Sequence, residues 1–228
     1  MKVLGIHEGH RNRLKARYRD HGLDNFNDVN VLELLLFYAI PRKDTNELAH
    51  ALLDHFGSLD RIFEASVPEL EEVPGIGENT ALLITLVPQI TRRYLMAKGN
   101  CICSITSSAE AGKYLVPRLM FEKEEKLLLL CLDAKKSVIS CVSLGSGVIN
   151  AVDVNVRKVV ENAVRNRASS VILAHNHPSG VALPSREDER ITREIASALK
   201  LVGIPLDDHI IVAGDDYVSF ADSGLIWL

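Results

Sequence analysis

Val171-Ile-Leu-Ala174, a short apolar run of β-prone residues, leads without a break into His175-Asn-His177 and then into Pro-Ser-Gly. A strand that ends in two histidines one residue apart is tightly constrained, because residues i and i+2 of a strand share a face. Both imidazoles can then reach one ion. Pro184-Ser185-Arg-Glu-Asp188 follows, with the Ser-x-x-Asp spacing that opens a helix as a capping box. If Ser185 caps that helix, Asp188 lies in its first turn, where the helix dipole favours the carboxylate and its side chain can still face the histidines. Two imidazoles and one carboxylate suit zinc, one ion per chain.

The chain has 228 residues, 47% of them hydrophobic, enough to bury one large core or two small ones. A change of character near residue 100 favours two. Residues 8–96 read as helical, with Val31 to Ile40 stopped by Pro41 and Thr45 to Phe56 stopped by Gly57. Residues 97–108, small and polar with scattered apolar positions, read as a linker or an extended entry strand. Beyond them the pattern alternates: a helix over 108–119, strands over 126–133 and 136–144, a helix over 154–167, the strand over 171–174, a helix over 185–202, and strands near 209–213 and 217–220. The expectation is a small all-helical domain over 1–100 and an α/β domain over 101–228.

The formal net charge of −4 gives no global attraction to nucleic acid, so any such binding needs a local basic patch or backbone amides. Four cysteines, Cys101, Cys103, Cys131 and Cys141, form neither a C-x-x-C pair nor the regular spacing of a secreted disulfide scaffold, which points to a reducing cytoplasm. No signal-peptide core is present, and the apolar runs at 31–40 and 81–90 are too short to span a bilayer. A soluble protein is expected.

In the helical half, Val73-Pro-Gly-Ile-Gly77-Glu-Asn79 places two glycines around one apolar residue. That spacing permits a tight turn between helices, after which the N–H groups at the start of the second helix can hold a phosphate. Gly75, Gly77 and Asn79 are the candidate contacts to a DNA backbone, opposed by Glu78 and the nearby Glu69, Glu71 and Glu72; a purely structural turn is the alternative. The basic run Arg11-Asn-Arg-Leu-Lys-Ala-Arg-Tyr-Arg19 has cations at alternate positions, which a helix spreads around its surface. Asp207, Asp208 and His209 form a further polar cluster leading into a strand, and read as support for the site rather than as ligands.

His175-x-His177 followed by seven residues and Ser185-x-x-Asp188 resembles the JAMM (MPN+) metalloprotease motif. The wider context, His-Asn-His-Pro-Ser-Gly with Asp208-His209-Ile-Ile, is similar to the RadC family in particular. Gly9-His-Arg-Asn-Arg13, Leu34 to Ile40, Pro74-Gly-Ile-Gly77 and Gly145-Ser146 extend the likeness over nearly the whole chain. The resemblance implies a cytidine-deaminase-like three-layer α/β/α domain preceded by a helix-hairpin-helix region. It implies zinc held by His175, His177 and Asp188, Ser185 stabilising an oxyanion, and a glutamate on an upstream strand as general base.

Counting back from Gly145-Ser146, the position of that glutamate falls at about Ser140, where this chain has no acid. The mechanism needs one: three protein ligands leave the fourth zinc position for water, whose pKa falls to about 7, and a base must carry its proton to the leaving amine. Glu124, Glu125, Asp133 and Glu161 are the candidates to replace it. Three functions stay open: a zinc hydrolase of a peptide or isopeptide-like bond with a protein substrate; a DNA-associated repair protein, with a metal-dependent nuclease as its catalytic form; and a catalytically degenerate binding module.

Overall fold

A computed structural model of the protein describes residues 6–41, 43–99, 104–146 and 155–226. The chain forms two compact units, Met1–Thr91 and Arg92–Leu228. The first is helical: α1 (Ile6–His21), α2 (Asp28–Ala39), α3 (Asn46–Phe56), α4 (Leu59–Glu64), α5 (Val67–Glu71) and the greater part of α6 (Glu78–Gly99). Leu32, Leu36, Leu52, Ile62, Leu70 and Ile84 meet in its core with no exposed surface, each side chain worth roughly 1.5–3 kcal/mol of transfer from water. Residues 97–99 continue α6 rather than opening a linker, residues 100–103 lie outside the described part, and regular structure resumes with the helix that begins at Ser108.

The turn read from Val73-Pro-Gly-Ile-Gly77 joins α5 to α6. Ile76 N bonds Val73 O at 3.0 Å, and Gly77 O accepts the first helical bonds of α6 from Thr80 and Ala81. Gly75 sits at φ +95°, where a side chain is strained, and a Cβ there would meet Leu48 Cδ2 at 2.7 Å. Gly77 has open space around it.

The second unit carries α7 (Ser108–Leu119), β1 (Lys126–Leu132), β2 (Val138–Ser146), α8 (Val156–Arg165), β3 (Ser170–Asn176), α9 (Arg186–Leu201), β4 (Leu206–Ala213) and β5 (Asp216–Ser219). The strands make one mixed sheet in the order β2-β1-β3-β4-β5, with β3 and β4 parallel and the other pairs antiparallel. One face packs on α7 through Leu128, Leu130, Ile172, Ala174, Ile210 and Val212. The other packs on α8 and α9 through Leu127, Leu129, Val171, Leu173, Ile191 and Ile195. The result is the three-layer α/β/α arrangement expected.

Two strands are longer than their apolar cores suggest. β3 runs through His175 and Asn176 because His175 pairs with Leu127 on β1 and Ile211 on β4, and Asn176 pairs with Val212 on β4. β4 begins at Leu206, so Asp207, Asp208 and His209 lie within it. An irregularity pairs Val171 with Leu206 but Ile172 with Asp208, which turns His209 toward the α9 side.

In chemical denaturation, Gly75→Ala should lose about 1–3 kcal/mol through its left-handed backbone and the Leu48 contact. Gly77→Ala, which meets no atom, should lose less; the reverse order would contradict this account of the turn.

Candidate metal centre

Strand parity delivers the first histidine. Val171 and Leu173 point toward α8 and α9, so His175 does too, and it is buried. His177 follows the strand end, held in line by the bond from its N–H to Val212 O at 2.8 Å. Asn176 faces the other way and is also buried. Its Oδ1 accepts from Lys126 N at 2.8 Å, and its Nδ2 donates to Glu122 O and Glu124 O at 3.1 and 3.0 Å. One side chain thus pins the whole entry to β1 beside the two histidines.

Ser185 and Asp188 form the capping box. Ser185 Oγ accepts from Asp188 N at 3.0 Å, while Asp188 Oδ2 accepts from Ser185 N at 2.8 Å and from Ser185 Oγ at 2.6 Å. The same carboxylate meets the histidines: Oδ1 lies 3.3 Å from His175 Nε2, and Oδ2 lies 3.6 Å from His177 Nε2. The two Nε2 atoms are 2.9 Å apart. Burial opposes ionisation of Asp188, but the imidazoles of His175 and His177, which donate to the carboxylate when protonated, the charge of His175 and the Ser185 hydroxyl outweigh it and hold the carboxyl far below the usual range. The Asp188 hydrogen bond raises the pKa of His177 above its usual 6.5 against the effect of burial, helped by the Val181 carbonyl and by the charges of Asp188 and Glu125.

Both histidines are held from behind. His177 Nδ1 lies 3.0 Å from Val181 O, which only accepts, so Nδ1 carries the hydrogen and Nε2 presents a lone pair. His175 Nδ1 lies 2.8 Å from His209 Nε2, and His209 Nδ1 lies 2.6 Å from Thr192 Oγ1 on α9. His209 is fully buried, and burial holds its pKa well below 6.5. Asp208 faces away, accepting from Ser219 Oγ at 2.6 Å and from Ala221 N at 2.9 Å, so it ties the end of β5 and the turn after it to β4.

This donor set fits a metal ion. Around a tetrahedral zinc with bonds of about 2.0–2.1 Å, neighbouring ligand atoms lie roughly 3.3–3.4 Å apart. The imidazole nitrogens lie 2.9 Å apart and each has its own carboxylate oxygen at 3.3 or 3.6 Å, separations near that edge. Two bare imidazole nitrogens this close repel, and either a hydrogen on one of them or a cation between them relieves the repulsion. Among the described residues, His175, His177 and Asp188 are the group of metal-ligating side chains that converges in this way. Burial pushes the Cys141 thiol up to about 11, so it supplies no thiolate, and Cys101 and Cys103 lie outside the described residues.

The position counted as the missing glutamate is in the wrong place. Ser140 pairs with Cys131, which pairs with Val171, four residues before His175; at about 3.3 Å per residue it lies some ~13 Å back along the strands. Its hydroxyl bonds Asn166 Oδ1 at 2.8 Å. Of the four substitutes, Asp133 closes the β1–β2 turn by accepting from Lys135 N and Ser137 N, and Glu161 pairs with Arg157 on exposed α8. Glu124 is exposed. Glu125, half-buried and next to β1, is the one whose charge acts on His177. The signal lay in its place immediately before Lys126, two residues from the position opposite His175.

In the helical unit much of the basic run serves the fold. Arg11 donates to the carbonyls of Ile40, Pro41 and Lys43 and lies over Phe37 at 4.6 Å, while Arg17 bonds Asn30 and lies over Phe26 at 4.2 Å. Lys15 also lies against Phe37. Gly77 and Asn79 do stand at the start of α6, where first-turn N–H groups lie. Among the described residues no helix is long and apolar enough to cross a membrane.

Residues 105–225 match the RadC-like JAB domain, and residues 45–87 match a SAM-like helix-hairpin-helix tandem. The chain is 35% identical over 226 residues to the UPF0758 protein FN0909 of Fusobacterium nucleatum subsp. nucleatum, covering 96% of this chain and 97% of that protein.

Asn176→Ala would strand Lys126 N and two carbonyls at the β1 entry. A loss of about 1–3 kcal/mol is expected, with faster hydrogen exchange at the Lys126 amide; an unchanged exchange rate would remove Asn176 from this role.

Proposed function

The chain belongs to the RadC family, and from that membership we propose that it is a zinc-dependent hydrolase of a peptide or isopeptide-like amide, with His175, His177 and Asp188 holding one zinc per chain. The observation that carries this reading is the convergence of two imidazole nitrogens and a carboxylate at 2.9–3.6 Å, with both imidazoles held through Nδ1 from behind. A bound zinc supplies Lewis acidity, acidifying water and polarising a carbonyl oxygen.

Glu125 is the proposed general base. It takes a proton from the attacking water and hands it to the leaving nitrogen, from a segment that Asn176 clamps beside the histidines. Ser185 is the proposed oxyanion donor. Its exposed hydroxyl lies on Asp188, and rotation about Cα–Cβ would aim it at the developing charge while the Ser185 N–H still holds the carboxylate. The acidic first turn of α9, with Glu187 and Glu189 flanking Asp188, disfavours a phosphate backbone at this site and supports an amide substrate over a nuclease reaction.

A second role, DNA-backbone binding by the helical unit, is favoured by the helix-hairpin-helix match and by the Gly75 turn leading into α6. Its test is titration of a labelled duplex into the full chain. Gly77→Asp, which adds a carboxylate at the start of α6, should abolish a salt-sensitive association; unchanged binding would sink this interface.

Protein purified without added metal should carry near one zinc per chain, absent from His175→Ala and Asp188→Ala; retention in both variants would refute the ligand assignment. Glu125→Gln should keep its zinc and lose roughly 10²–10⁴ of turnover on a panel of quenched peptides and ε-amide-linked lysine substrates. Ser140→Glu should restore nothing, since that side chain lies away from the cluster. Zinc must displace the proton that His177 holds below its raised pKa, so affinity should rise about tenfold per pH unit up to that value, above 6.5, and level off beyond it.

A further inference from the structure

Four groups from three elements run in one line behind the candidate metal centre. Thr192 Oγ1 on α9 lies 2.5 Å from Asp188 O, four residues earlier in the same helix, and 2.6 Å from His209 Nδ1 on β4. His209 Nε2 lies 2.8 Å from His175 Nδ1 on β3. The His209–His175 contact is of ordinary hydrogen-bond length, the two Thr192 contacts are short, and Thr192, His209 and His175 are all buried. With both histidines neutral, the line has two self-consistent directions.

The two directions have opposite consequences. If Thr192 donates to His209, then His209 Nε2 carries the hydrogen and donates to His175 Nδ1, leaving the only hydrogen of a neutral His175 on Nε2. That hydrogen would occupy the nitrogen that faces His177 and Asp188. If Thr192 donates to Asp188 O, it accepts from His209 Nδ1–H. His209 Nε2 then accepts from His175 Nδ1–H, and His175 Nε2 is left with a bare lone pair.

The Thr192–Asp188 contact decides between them. Two oxygens 2.5 Å apart repel unless a hydrogen lies between them, and a carbonyl has none to give. The Thr192 hydrogen is therefore on that line, which fixes every tautomer after it. Resting on the metal reading of the cluster, we propose that Thr192 and His209 are positioning residues that hold His175 in the Nδ1–H tautomer and so keep its Nε2 open for the ion. The relay starts on the backbone of Asp188, a ligand from α9, and ends on His175, a ligand from β3. It ties the helix and the strand that must meet at the metal. His177 reaches the same tautomer by a separate and simpler route, its bond to Val181 O.

The test combines zinc affinity, by competition with a chromophoric chelator, with long-range ¹H–¹⁵N correlation spectra of the histidine ring nitrogens. Thr192→Val keeps the shape and removes the hydroxyl, and zinc affinity should fall about 10–100-fold. Thr192→Ser restores the hydroxyl and should recover affinity to near wild type, which a merely structural loss would not explain. In wild-type protein the spectra should show His209 protonated at Nδ1 with Nε2 as acceptor, in both the metal-free and the zinc-loaded states. Affinity of Thr192→Val within twofold of wild type, or His209 protonated at Nε2, would overturn the relay. Wild-type protein that takes up no zinc would refute the metal reading itself; the spectra of that protein would still decide the direction of the relay.

Discussion

Everything at the candidate metal centre depends on the two-residue period of one fully buried strand. β3 lies between β1 and β4 and is covered on both faces. Its odd residues therefore go to the α9 layer and its even residues to the α7 layer. That period sends His175 toward Asp188 and Asn176 toward the entry of β1, so adjacent residues do different work with no freedom to exchange places. A one-residue slip would bury the wrong side chain on each face.

Capping chemistry supplies the third corner. The carboxylate of Asp188 satisfies the start of α9 and faces two imidazoles, so the helix terminus and the centre stabilise one another. Burying that charge is unfavourable, and the hydrogen bonds around Asp188 offset the effect of burial. An array of this kind gains from a cation at its centre.

The three side chains that converge at the candidate centre were legible because their signals are local. A β-prone run into His-x-His and a Ser-x-x-Asp capping box each need only a few contiguous residues; the box forms as read, and the strand forms but runs on through Asn176. Register between strands is not local, which is why counting along β2 led to Ser140 while the β1 register brings Glu125 to the right end of the sheet. His209 reaches the α9 side only through an irregularity in β4, which no period-two pattern announces. The basic run of α1 was legible as cations but not as partners of the carbonyls at the end of α2, because those contacts lie about 30 residues away in sequence.

X-ray absorption at the zinc edge of the zinc-loaded protein tests the central claim most directly. The account predicts two imidazole nitrogens and at least one oxygen at about 2.0–2.1 Å, with no sulfur shell. Sulfur scattering at about 2.3 Å, or an all-oxygen shell without imidazole, would contradict it.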